Sequence, residues 1–386
     1  MDEAKRGECE GARDAVRGPS SGTGAAAGQP GAGAAAGRGA FATAGAGLPK
    51  TRGMARWALP VSAVLLVAAA FAAIFMGSYG LTVPEVLKIL VSPVVHEDVT
   101  WTNAQATVVL GVRVPRILAA ILIGAALSVS GATYQSVFKN PLVSPDLLGV
   151  AAGACVGAAI AILLHVSAVL VEVFALVGGL AAVLFSTGLA NILHNRSTLI
   201  LVLAGVIVTG FMNSGLGLIK YLADPETELP AITFWQLGSL GSVKANDVVS
   251  VAPPMLVALV VLVLLRWRIG ILSVGDSDAE LLGINVRRLR GVSILCSTVL
   301  TACAVCVAGT VGWIGLVIPH LCRFMVGADA SKVLPLSITV GGLFLLVVDT
   351  VCRTIAVTEL PLSVLIGFIG TPLFVWLIYR QRRTLA

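Results

Sequence analysis

The stretch RVPRILAAILIGAALSVSGATYQSVFKNPLVSPDLLGVAAG, Arg113 to Gly153, decides the fold. It opens with two arginines about a proline and runs into about twenty apolar and small residues, enough for a helix to cross a hydrocarbon core. Small residues crowd that run (Gly124, Ala125, Ala126, Ser128, Ser130, Gly131, Ala132), the composition of helices packed closely inside a membrane. The run breaks at Lys139-Asn140-Pro141-Leu142 and Pro145 and restarts at Leu147. A span, a proline-broken turn and a second span are predicted.

The rest of the chain repeats this theme. Of 386 residues 57% are hydrophobic and 12% charged, against roughly 25% charged in a soluble domain. Ten apolar runs are expected as transmembrane helices, at roughly 55–78, 114–134, 147–165, 168–193, 199–222, 247–265, 291–307, 310–326, 334–355 and 361–379. The fold class is therefore all-α and polytopic. Residues 1–53 are Gly, Ala, Ser and Arg with few large apolar side chains, and read as a disordered cytoplasmic tail ahead of a transmembrane domain at 54–386. No apolar core follows the early charges, so the tail does not read as a signal peptide.

The net charge of +6 sits in short loops between apolar runs, which speaks for topology and against nucleic acid. Lys139, Arg196, Arg266, Arg268, Arg287, Arg288, Arg290, Arg323 and Lys332 fall on one side, and Asp224, Glu226 and Glu228 on the other. The positive-inside bias places both termini in the cytoplasm. Gly131 lies ten residues before Pro141, and Gly309 ten before Pro319, each after an Arg-led run, a weak echo of the inverted repeats common in transporters.

Several motifs bear on function. No G-x-x-x-x-G-K-[ST] is present and no Lys follows a Gly, so any ATP would be hydrolysed by another chain. No catalytic set is evident. The seven cysteines lie mostly in apolar runs, and Cys303 and Cys306 read as packing residues rather than a metal or redox pair. The expected inner loop SVGDSDAELLGINVRRLR, Ser273–Arg290, allows Asp276 or Ser277 to cap a short helix, puts Glu280 in it and ends it at Gly283. With Leu281, Leu282, Arg287 and Arg288, it is a candidate docking element for a cytoplasmic partner. His320 reads as a structural hydrogen-bonding residue rather than a proton relay. Asp349 and Arg353, four apart, suit a pair on one helix face. Arg113, Arg116 and Arg353 all fall on the outer side, against the positive-inside rule, so topology does not account for them. Asn195, Ser197, Asn213 and Ser214 are candidates for lining a polar path, though Asn213 and Ser214 would equally suit bonds between helices.

Taken in order, RVPR (Arg113–Arg116), SGATYQSVFKNPLVSPDLLGVAAGA (Ser130–Ala154), WQLGSL (Trp235–Leu240), LLGINVRRLR (Leu281–Arg290), GWIGLVIPHLCR (Gly312–Arg323), DTVCR (Asp349–Arg353) and ELPLSVLIGFIGTPLFVWL (Glu359–Leu377) make the chain resemble the FecCD-like permeases. These are subunits of ATP-binding-cassette importers for iron-siderophores, haem and cobalamin. Ser363 departs from the family's glycine, and the tail before residue 54 is additional. The resemblance implies a type II importer permease fold of ten spans in the bacterial inner membrane. It implies a homodimer, or a heterodimer with a related permease, around a path at the subunit interface. It also implies two cytoplasmic ATP-binding subunits on the inner loops and an extracytoplasmic substrate-binding protein outside. No cofactor or metal is implied for this chain, and selectivity would rest largely with the binding protein. Arg113, Arg116 and Arg353 are then expected to hold glutamates of that protein. The competing reading, an ion-gradient-driven transporter, needs a relay of intramembrane carboxylates, for which only Asp349 and Glu172 qualify. A purely structural membrane subunit is the third reading.

Overall fold

The computed structural model describes residues 52–77, 79–92, 101–193, 198–355 and 358–383. The expected tail and the path candidates Asn195 and Ser197 lie outside the described residues, apart from positions 52 and 53.

The first expected span is α1, Arg52–Phe75. Two short elements then lie where no apolar run announced a helix: α2, Val83–Val91, and α3, Asn103–Ala106. Both start on a threonine followed three residues later by a carboxylate or amide. The Glu85 carboxylate accepts from the Thr82 backbone N–H at 2.9 Å, and the Gln105 side chain accepts from that of Thr102 at 2.8 Å. This satisfies donors that a helix start leaves unpaired. Gln105 then donates to Glu85, tying the two elements together.

A π-helical stretch, Thr107–Arg113, leads into α4, Val114–Val137, the axis of the molecule. Twenty of the 24 residues of α4 are buried. A 3-10 turn at Pro145–Leu148 follows, then α5 (Val150–Leu163), α6 (Ala168–Ile192), α7 (Thr198–Leu222) and the short α8 (Glu228–Leu237). Next come α9 (Ala245–Val274), α10 (Asp276–Leu281), α11 (Val286–Ala308), α12 (Ile314–Val326), α13 (Ala330–Cys352) and α14 (Leu362–Arg383). Among the described residues, eight helical segments are long and apolar enough to cross a membrane, and α5 and α12 are two shorter apolar helices. Together they match the ten runs expected.

Helix α4 packs against α13, α11, α9 and α12. The small residues of its sequence make this possible. A Cβ added to Gly131 would sit 1.8 Å from the Gly315 carbonyl oxygen of α12, and one on Gly124 would sit 2.3 Å from that of Gly341 on α13. Backbone meets backbone at both points, as in small-xxx-small contacts of membrane helices. Polar pairs join α4 to α11 in the same seam: Ser130 and Thr301 hydroxyls lie 2.9 Å apart, and Tyr134 and Thr298 hydroxyls 3.2 Å.

The WQLGSL segment closes the end that the charge bias makes the outer one. Helix α8 runs through Leu237, and the chain then knots onto two other elements. Ser239 N–H donates to the Ala308 carbonyl at 3.0 Å, and Leu362 N–H donates to the Gly238 carbonyl at 3.0 Å. Ser363, where the resembled family has glycine, donates its hydroxyl to the Leu237 carbonyl at 2.5 Å.

Candidate functional site

Two constellations stand out, one at each end of the bundle. The inner one is built on α10. Six residues cannot hold a helix in water by themselves, so its orientation must come from its surroundings. Its N-terminus is capped by neither Asp276 nor Ser277: Gly275 occupies the cap position in extended conformation, and Asp276 lies in the first turn. The Asp276 carboxylate instead accepts from Lys139 Nζ at 2.8 Å and from Arg290 Nη2 at 3.0 and 3.1 Å. Partial burial, which would raise this carboxyl, is outweighed by those hydrogen bonds, and it lies below the usual carboxylate value.

The other end of α10 is a Schellman arrangement. Gly283 N–H donates to the Glu280 carbonyl at 2.9 Å and Ile284 N–H to that of Ala279 at 3.0 Å. Gly283 has φ +75°, the left-handed conformation that this arrangement needs and glycine adopts without strain. Ala279 is buried beneath the helix, so the chain turns with its two leucines outward. Leu281 is 85% and Leu282 67% exposed, flanked by exposed Glu280, Arg287 and Arg288. Asn285 caps the next helix by accepting from Arg288 N–H at 3.0 Å. The structure thus brings together every inner residue expected of a docking element.

The outer constellation differs from expectation. Arg113, Arg116 and Arg353 are 3%, 5% and 8% exposed. Arg113 donates to the Ile74 and Tyr79 carbonyls at 2.7 and 2.6 Å, and Arg353 donates to the Ala73 carbonyl at 2.6 Å. Ala73 and Ile74 belong to the last turn of α1, whose carbonyls have no partner within the helix and carry its negative dipole end. Arg116 grips Asp349 at 2.9–3.0 Å and Glu359 at 2.7 and 3.0 Å. Asp349 therefore pairs with Arg116 of α4, not with Arg353 one turn along its own helix. As placed, the three arginines brace the outer end rather than face a partner: they close α1 and neutralise a buried carboxylate. That bracing explains their presence on the outer side, which topology could not.

Of the path candidates, Asn213 and Ser214 lie on an exposed face of α7, with the Ser214 hydroxyl donating to the Gly210 carbonyl at 2.9 Å. Gly210, Gly215 and Gly217 on the same helix have open space over them. His320 rests edge-on against Phe374, its ring centroid 5.4 Å away, while Arg323 bonds the Gln135 side chain. The residues that sequence reasoning missed are Lys139, Arg290 and Glu359. All three are visible as charges, but their partners lie 137, 14 and 243 residues away, where no local spacing points.

Comparison with known proteins follows the same lines. The model of the FecCD transport family matches residues 65–380. The molybdate import system permease protein of Haemophilus influenzae is 36% identical over 327 residues, covering 83% of this chain and 94% of that one. A probable iron chelatin transport system permease protein of Helicobacter pylori is 40% identical, covering 72% of this chain and 85% of that one. A solved structure described as an inward-facing conformation of a metal-chelate type ABC transporter superposes with TM-score 0.75 at 34% identity, covering 83% of this chain and 98% of that one.

Proposed function

Because the chain belongs to the FecCD transport family, we propose that it is the membrane-spanning permease subunit of an ATP-driven importer, with a metal chelate, first of all a ferric siderophore, as cargo. Haem, cobalamin and molybdate are the alternatives to be tried alongside. The observation that carries the reading is α10: two leucines held outward on a braced, capped turn, in a chain whose sequence has no phosphate-binding loop of its own. Exposed leucines ringed by charge suit a protein partner on the cytoplasmic side, here a pair of separate ATP-binding subunits. Nucleotide bound by those subunits moves the permease only through its different affinity for the two conformations.

A second permease copy is expected over the α7 face, where glycines leave room for close approach and Asn213 and Ser214 offer polar atoms to a path at the interface. A substrate-binding protein delivers cargo at the outer end. The chain itself is a transport subunit, not an enzyme, resident in a bacterial inner membrane with both termini inside.

The docking test is co-purification of the ATP-binding subunit with wild type and with a Leu281→Asp, Leu282→Asp double variant. Loss of the subunit from a variant still inserted in the membrane is expected. Undiminished co-purification overturns the assignment of α10.

A further inference from the structure

A lysine just after α4 reaches the α10 element: Lys139 Nζ lies 2.8 Å from Asp276. We propose that Lys139 and Asp276 form a clamp that makes α10 and the turn after α4 move as one body when a cytoplasmic partner pulls on α10. The proposal rests on the docking reading above and adds to it the route by which the pull enters the core.

Three observations converge. Helix α10 packs chiefly on α9 and α11, its neighbours in the chain, so a firm tie to α4 must come from elsewhere. The Asp276 carboxylate makes that tie: one oxygen takes Lys139 Nζ at 2.8 Å, and both oxygens take Arg290 Nη2 at 3.0–3.1 Å. One carboxylate thus joins the first turn of α10 to the second turn of α11 and to the residue that ends α4.

The second observation is the backbone of Lys139. Helix α4 ends in the same Schellman arrangement as α10, with Asn140 N–H donating to the Gln135 carbonyl at 3.1 Å and Lys139 N–H to that of Ser136 at 3.3 Å. The residue at the left-handed position is Lys139, with φ +52°. Glycine is the usual occupant, and a side chain there costs about 1–2 kcal/mol. A strained position occupied by a long cationic side chain is understandable if the side chain is needed, and this one ends on Asp276.

Thirdly, the clamp sits where it can be felt. Lys139 comes two residues after the last residue of α4, a helix with 20 of 24 residues buried that packs on α9, α11, α12 and α13 together. Movement of α10 that carried Lys139 along would act on all of them. Without the clamp, α10 could swing on its chain neighbours and leave α4 behind.

The test uses the full transporter, chain and ATP-binding subunits together, with spin labels at the exposed positions Ser277 on α10 and Leu142 in the turn after α4. The distance between them is measured with and without ATP and vanadate. With the clamp intact, one narrow distance is expected in both states. With Lys139→Gln, nucleotide should shift or broaden it, while Asp276→Glu, which keeps the carboxylate in the otherwise wild-type chain, should leave the single distance in place. A Lys139→Gln sample whose distance stays fixed overturns the clamp, as does a wild-type sample whose distance changes with nucleotide. Failure of the docking reading shows separately, as undiminished co-purification of the ATP-binding subunit with the Leu281→Asp, Leu282→Asp variant.

Discussion

At the scale of single residues, the Arg116–Asp349 pair governs the outer end. Asp349 is fully buried and its charge is met by the Arg116 guanidinium alone at hydrogen-bonding distance among the described residues. Replacing Arg116 by Ala leaves that carboxylate buried without a partner, at a cost of about 3–5 kcal/mol. Thermal unfolding in detergent should register a large loss of stability. The paired change Arg116→Met, Asp349→Leu should recover most of it, because it removes both charges, and Glu359 is exposed enough to turn to water. If the single and double variants unfold at the same temperature, the pair is not what holds this end. Asp276 offers a pH test of opposite character. Its folded-state value lies below the ordinary one, so its contribution is fully present above about pH 4 and is lost only as pH falls through the depressed value. The hold on α10, read by hydrogen exchange of residues 279–284, should be level from pH 7 down to about 5 and weaken only below the ordinary carboxylate range. Weakening between pH 7 and 6 would point to another group.

At the scale of elements, the contrast between buried and open glycines is the sharper test. Gly131→Ala puts a methyl group against the Gly315 backbone, which cannot retreat as a side-chain end can. Helices α4 and α12 must part, and overpacking of this kind costs about 1–3 kcal/mol or more. Gly210→Ala meets nothing within 4 Å, so the folded chain should tolerate it. If a second copy covers α7, the same variant should nonetheless weaken the dimer, seen as a shift toward monomer in mass photometry of the solubilised protein. A dimer as strong as wild type would move the interface elsewhere. The long elements were legible because hydropathy alone marks a span. Helix α9 was expected to end at 265 yet runs to Val274, since Arg266 and Arg268 end the apolar run without ending the helix. Helices α2 and α3 were missed although their capping residues, Thr82 with Glu85 and Thr102 with Gln105, stand in the sequence three apart.

At the scale of the whole molecule, pairing was the illegible part. Spacing offered Arg353 to Asp349, but helix geometry only permits such a pair, and the partner came from 233 residues away. The short inner helix and its end at Gly283 were legible because its charges and terminal glycine are contiguous, although Gly275 rather than Asp276 or Ser277 holds its cap position. The bracing role of the outer arginines was hidden because it depends on where the end of α1 lies. The same geometry bears on the rival account of an ion-gradient transporter, since Asp349, one of its two candidate carboxylates, is locked to Arg116. The most direct measurement is accumulation of labelled ferric siderophore, haem, cobalamin and molybdate by proteoliposomes carrying this chain with its ATP-binding and substrate-binding partners. The account predicts that one of these cargoes accumulates only when both the ATP-binding subunit and ATP are present, and that a proton or sodium gradient cannot replace them. Accumulation by the chain alone, driven by an ion gradient, would contradict it.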